Sequence, residues 1–177
     1  MNKNIRYLVT GALIAALYAA LFYAQNLLLP GTATMAVQFR AAEALNVLAL
    51  FTPAAIPGLT IGCILSNVAS IGQGLPLDMI FGPVATLGAT VCMWLLRKVK
   101  IKGYPFFSML MPALWNGVII GWEIEQFFID GPFTAVGFLT QGGLVALGEL
   151  GVMLTLGSLL YWVIVSRHLE QTLFRQA

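Results

Sequence analysis

The chain has 177 residues, of which 59% are hydrophobic and only 9% charged, with a formal net charge of +2. That leaves too little polar surface to clothe a water-soluble globule of this length, so part of its solvent must be lipid. With no Lys/Arg stripe, it also offers no nucleic-acid surface.

The start, MNKNIRYLVTGALIAALYAALFYAQ, opens with charge as a signal peptide does. Its apolar stretch is too long for one and no cleavage site ends it, so we read a spanning helix over about 5–28. On that helix Ala12, Ala16 and Ala20 recur one turn apart, with Ala15 and Ala19 beside them. They form a smooth ridge suited to close contact with another protein. The next apolar segment is broken by TPAAIPG, with Pro53 and Pro57. Two short spans, about 36–51 and 54–71, joined by a tight inner turn, are expected there. Further spans are predicted over about 77–97, 105–128 and 134–166. The last is longer than one crossing, about 50 Å at 1.5 Å per residue, so it either tilts or begins as a surface loop.

The expectation is therefore an all-α, six-helix membrane bundle, a single transmembrane domain over 1–177. Cationic flanks support an even number of crossings. Lys3 and Arg6 precede the first helix, RKVKIK follows the fourth, and Arg167, His168 and Arg175 follow the sixth. Such flanks mark the cytoplasm, which places both termini inside. The expected outer loops, about 29–37, 72–76 and 129–134, contain no Lys or Arg.

Within this topology the polar residues gather toward the outer side. Arg40 and Glu43 lie on helix two, with Asn46 continuing their face. Asn67 ends helix three, Asp78 starts helix four, Glu123 and Glu125 lie near the outer end of helix five, and Gln141 is on helix six; Asn46, Asn116 and Glu149 are deeper. A charge at the bilayer centre costs roughly 2.5–3.5 kcal/mol on insertion scales, so an outward-opening polar pocket is the economical reading. Plainer roles stand beside it. Arg40 and Glu43 can neutralise each other, Asp78 can cap a helix start, and Glu149 can be a protonated helix–helix hydrogen bonder. Glu123 and Glu125 are about 200° apart around a helix and cannot face one pocket; Asn116 shares the face of Glu123 and favours it. Gly58 with Gly62, and Gly117 with Gly121, have the spacing of helix packing within the bundle. Asp130 reads as a turn residue, His168 as a flank residue, and Cys63 and Cys92 as small buried thiols.

No G-x-x-x-x-G-K-[ST] loop, His/Cys metal cluster, G-x-S-x-G elbow or convincing internal repeat is present in the sequence. A pocketed bundle with no engine suggests a binding subunit powered by partners, not an enzyme, with no cofactor or metal of its own.

The stretches VQFRAAEALNVLALFTPAAIPGLTIGCILSN and LDMIFGPVATLGA resemble the QueT family of substrate-binding S components of energy-coupling factor (ECF) transporters. The resemblance covers most of the chain, is densest over 37–90 and weakest in the last helix. It implies uptake of a queuosine precursor, a 7-deazaguanine such as 7-aminomethyl-7-deazaguanine or queuine. It also implies a bacterial plasma-membrane location, a membrane scaffold protein (EcfT) docking on the alanine ridge, and two cytoplasmic ATPases that use the ATP. The subunit would reorient in the membrane to deliver its ligand.

The polar residues suit such a ligand. A guanine-type edge offers two adjacent N–H donors, and one carboxylate, Glu43 or Glu123, can accept both. Asp78 or Glu149 would match an ammonium. Arg40, Asn67, Asn116 and Gln141 can serve the ring carbonyl and remaining polar edges, Asn46 is a further candidate on the face of Glu43, and Phe39, Trp115 or Trp122 can stack on the ring. Competing readings are an S component for thiamine or riboflavin, a stand-alone proton-coupled transporter with Glu149 and Asp78 as relay groups, and an intramembrane enzyme working with carboxylates alone.

Overall fold

Away from water each apolar run must satisfy its backbone internally, and a helix does so within one segment. A computed structural model describes residues 2–32, 37–72 and 76–173, the side chains of 69–72 and 172–173 excepted. Residues 33–36 and 73–75 of two expected outer loops, and Arg175 of the last flank, lie outside it.

Helix α1 (Lys3–Leu28) begins where the Asn2 side chain accepts from Asn4 N–H at 3.2 Å. A 3₁₀ helix, Ala41–Leu50, follows; then come α2 (Ala55–Gly72), α3 (Asp78–Leu96) and α4 (Phe106–Phe127). Helix α5 (Ala135–Val152) starts at Thr134, whose hydroxyl accepts from Gly137 N–H. A π turn (Met153–Gly157) carries it into α6 (Ser158–Ser166), and the short α7 (Leu169–Leu173) comes last. Among the described residues four helical stretches are long and apolar enough to cross a bilayer: Lys3–Leu28, Asp78–Leu96, Phe106–Phe127 and the continuous Ala135–Ser166.

One expectation is corrected here, and one alternative is decided. The segment expected as a span over 36–51 is a ten-residue 3₁₀ helix that begins only at Ala41. Its tighter winding rises about 2.0 Å per residue, so it covers about 20 Å where an α-helix would cover about 15 Å. The final segment does not begin as a surface loop. It is helical from Ala135 to Ser166, interrupted only by the π turn.

Runs of 3₁₀ this long are uncommon, and the surroundings of this one explain how it persists. It contacts every helix from α1 to α6, and nine of its ten residues are buried. A helix apolar nearly all round belongs at the centre of a bundle, which is where this one lies. Around it α1, α2, α3, α4 and α5 pack in chain order. The glycine pairs allow close crossings. A Cβ at Gly58 would lie 2.6 Å from the Gly11 carbonyl oxygen, one at Gly62 2.7 Å from Tyr18 Cβ, and one at Gly142 2.5 Å from the Gly117 carbonyl. Among the described residues, α1 and the α5–α6 rod make no close backbone approach, so the ring is open there. The seam is an apolar groove of about 420 Å³ floored by Leu45 and Leu48 of the 3₁₀ helix.

Polarity is inside out. Leu27, Val136 and Leu139 are exposed, while Arg40, Glu43, Asp78, Glu123 and Glu149 are buried. In water that distribution would be ruinous; in lipid it is the stable one. The protein is a helical membrane protein.

Candidate binding site

Charge divides the bundle lengthwise. One end gathers Lys3, Arg6, the 97–102 turn and Arg167, tied together by Tyr7 OH donating to the Pro53 carbonyl and Tyr161 OH to the Gly103 carbonyl. Arg40 is the one described cation away from that end, and it sits among carboxylates.

The 3₁₀ helix builds the column on which they stand. At three residues per turn, side chains at i and i+3 eclipse, whereas in an α-helix they would fan apart by about 60°. Glu43 and Asn46 are therefore stacked, and Asn46 Nδ2 donates to Glu43 Oε2 at 2.6 Å. Tyr18 OH, from α1, donates to Glu43 Oε1. Arg40 precedes the helix in extended conformation and pairs with Asp78 at the start of α3, 3.1 Å from Nη2 to Oδ2, both side chains almost wholly buried. The guanidinium also lies 6.0 Å from the Phe22 ring centroid. Asn67 of α2 donates to the Asp78 carbonyl at 2.6 Å.

Glu123 of α4 faces Asp78 and Arg40, and Glu149 of α5 lies within electrostatic reach of Glu43 and Arg40. Gly148 lets the chain before the 3₁₀ helix come close, because a Cβ there would overlap the Gln38 carbonyl. Gln25 of α1 holds the same strand of backbone, donating to the Phe39 carbonyl and accepting from Ala41 N–H.

The cluster is short of donors. Asn46 Oδ1, Asn67 Oδ1, both oxygens of Glu123 and Glu149 Oε2 are buried without a hydrogen-bond partner. All five are acceptors. Each would cost about 1–3 kcal/mol if left unpaired, so the arrangement is complementary to a ligand rich in N–H groups. Four carboxylates against one guanidinium favour a cationic one. Among the described residues no three His, Cys, Asp or Glu side chains converge closely enough to hold a metal ion.

Of the twelve residues singled out in the sequence, the structure brings together Arg40, Glu43, Asn46, Asn67, Asp78, Glu123 and Glu149. The side chains of the other five are engaged differently or exposed. Asn116 is buried and donates to the Pro112 carbonyl of its own helix at 3.0 Å. Gln141 is half-buried beside the α4–α5 crossing, and the Trp115 ring lies against Gly88. Trp122 is partly exposed and packs in an aromatic trio with Phe81 and Phe127, at 5.6 and 5.5 Å; Phe39 is exposed. Glu125 is buried but turns away, accepting from Thr134 N–H and Oγ1 at 3.2 and 2.8 Å. In the alanine ridge, Ala12, Ala16 and Ala20 are exposed and Ala19 half-buried, whereas Ala15 is buried against α2.

Sequence reasoning missed Tyr18 and Gln25. Their signal was present: Tyr18, Phe22 and Gln25 share the face of α1 opposite Ala12, Ala16 and Ala20.

Comparison with known proteins identifies the family. The chain is 31% identical over 156 residues to the queuosine precursor transporter QueT of Lactococcus lactis subsp. cremoris (strain MG1363), covering 84% of this chain and 87% of that protein. No solved structure matches. The family model for QueT transporter matches residues 8–166, nearly the whole helical bundle, and the chain belongs to that family.

Proposed function

We propose that this protein is the substrate-binding membrane subunit, the S component, of an ECF-type importer in the bacterial plasma membrane. It captures a queuosine precursor from the outside. The observation that carries the reading is the set of five partnerless buried acceptors around Arg40. A 7-deazaguanine bearing an aminomethyl group offers N–H donors along its edge and a cation for the acid excess. The similar protein's description as a queuosine precursor transporter supports that substrate class. In this reading six helical segments cross the membrane, with both termini and the basic end cytoplasmic. The scaffold EcfT docks on the face bearing Ala12, Ala16 and Ala20, and two cytoplasmic ATPases supply the energy. The groove of about 490 Å³ between α1 and α2, lined by Ala12, Ala16, Gly58 and Ile61, lies along that face and suits close helix contact.

Calorimetry on the detergent-purified protein tests this with 7-aminomethyl-7-deazaguanine, queuine, guanine, thiamine and riboflavin. Submicromolar binding of a deazaguanine supports the reading. Tight binding of a vitamin instead keeps the subunit and discards the substrate. Uptake by the purified chain alone in vesicles, without ATPases, would overturn the S-component role.

A further inference from the structure

The four carboxylates of the cluster differ in how much of each is already engaged. Glu43 has both oxygens turned to internal donors, Tyr18 OH from α1 and Asn46 Nδ2 from its own helix. Asp78 is paired with Arg40 through Oδ2, and its own backbone carbonyl receives Asn67. Glu149 has one buried oxygen without a partner, Oε2. Among the described residues only Glu123 has both oxygens buried without a hydrogen-bond donor, on a residue with no exposed surface. A bidentate pair needs two free oxygens on one carboxylate, side by side and pointing the same way.

We infer that Glu123 is the specificity-determining carboxylate, receiving the exocyclic amine and adjacent ring N–H of a guanine-type ligand, and that Glu43 is a positioning residue. The inference rests on the binding reading above and sharpens it. Glu123 is suited to a fork of donors because neither of its oxygens is held by an N–H or hydroxyl group of the bundle, its polar neighbours being Asp78 and Arg40, which are paired with each other. The Glu149 Oε2 atom, single and free, suits one further donor such as an ammonium. Glu43 acts through others. By holding Tyr18 and Asn46 it fixes α1 against the 3₁₀ helix and leaves Asn46 Oδ1 as the acceptor that faces the ligand.

The test compares 7-aminomethyl-7-deazaguanine with its analogue lacking the 2-amino group, by calorimetry on the full-length protein. The wild type should prefer the 2-amino ligand by about 10- to 100-fold, the worth of one donor to a buried carboxylate. In Glu123→Gln one acceptor becomes a donor, and the preference should fall to within about threefold. Glu43→Gln and Tyr18→Phe should weaken both ligands by the same factor and leave the preference intact. A preference that survives Glu123→Gln, or vanishes only in Glu43→Gln, overturns the assignment. Should Glu123→Gln not fold, Glu123→Asp, which withdraws the fork by one methylene, is expected to reduce the preference; an unchanged preference overturns the assignment. Wild-type binding without 2-amino preference also overturns it while leaving the transport reading standing. Failure to bind any deazaguanine overturns that reading first.

Discussion

At the acidic end Arg40 is only 3% exposed and locked to Asp78, whereas at the basic end Arg97 lies flat over Trp94, 3.5 Å from the ring centroid, and Lys98, Lys100 and Lys102 reach solvent. The same residue types thus do different work under different hydration. Solvated cations cost little to hold, and they orient the chain in a membrane without being held rigidly. Buried charges must be matched atom by atom, because desolvation punishes every unpaired one. A site can be built only from the second kind, since only there does a missing partner create a demand that a ligand can meet.

That contrast can be broken from either side. The largest effect is expected from Arg40→Met, which strands Asp78 and its carboxylate neighbours; unfolding of the purified protein in detergent should show a loss of about 3–5 kcal/mol. Stability within 1 kcal/mol of wild type would mean that the carboxylates do not depend on the guanidinium. Next comes Tyr18→Phe, which deprives the Glu43 carboxylate of one donor and should cost about 1–3 kcal/mol in the same assay. Gly148→Ala should cost a similar amount by overpacking, about 1–3 kcal/mol, because the added methyl meets the Gln38 carbonyl. It should also weaken ligand binding by displacing the segment that carries Arg40. At the basic end Arg97→Ala removes the stacking on Trp94 and should cost only about 0.5–1 kcal/mol. Smallest is Lys98→Ala, expected to stay within about 0.5 kcal/mol, and a larger loss would show that the basic end is as tightly built as the acidic one.

Much of the helical architecture was legible, because apolar length is a strong signal in a membrane chain. The proline-marked break at Pro53 and Pro57 was readable as well, and α2 begins at Ala55. The winding of Ala41–Leu50 was not. Over ten mostly apolar residues, periods of 3.0 and 3.6 differ little, and only the spacing of Arg40, Glu43 and Asn46 by threes hinted at it. The π turn was hidden for the same reason, lying in an unbroken apolar run. Charged and amide residues were found because each is conspicuous in lipid. Their division of labour was not, since Glu125 looks like Glu123 until Thr134 is seen folding back onto it. The expectation that Phe39, Trp115 or Trp122 stacks on the ligand had only their aromaticity behind it, and the sequence did not show the packing of Trp122 with Phe81 and Phe127.

The open ring has a mechanical consequence. Among the described residues α1 and the Ala135–Ser166 rod make no close backbone approach, whereas α1 meets α2 through the tight glycine contacts at Gly58 and Gly62. The bundle therefore resembles a spring clip, stiff along its back and compliant at its mouth. On α1, Tyr18 and Gln25 grip Glu43 and the backbone at residues 39 and 41. Any swing of α1 at the mouth is geared directly to the carboxylate column. A cross-link between cysteines placed at Leu17 and Leu160, on opposite lips of the groove, would clamp the mouth, and ligand release slowed by the clamp would reveal that gearing. Release at an unchanged rate would show the mouth and the column to be independent.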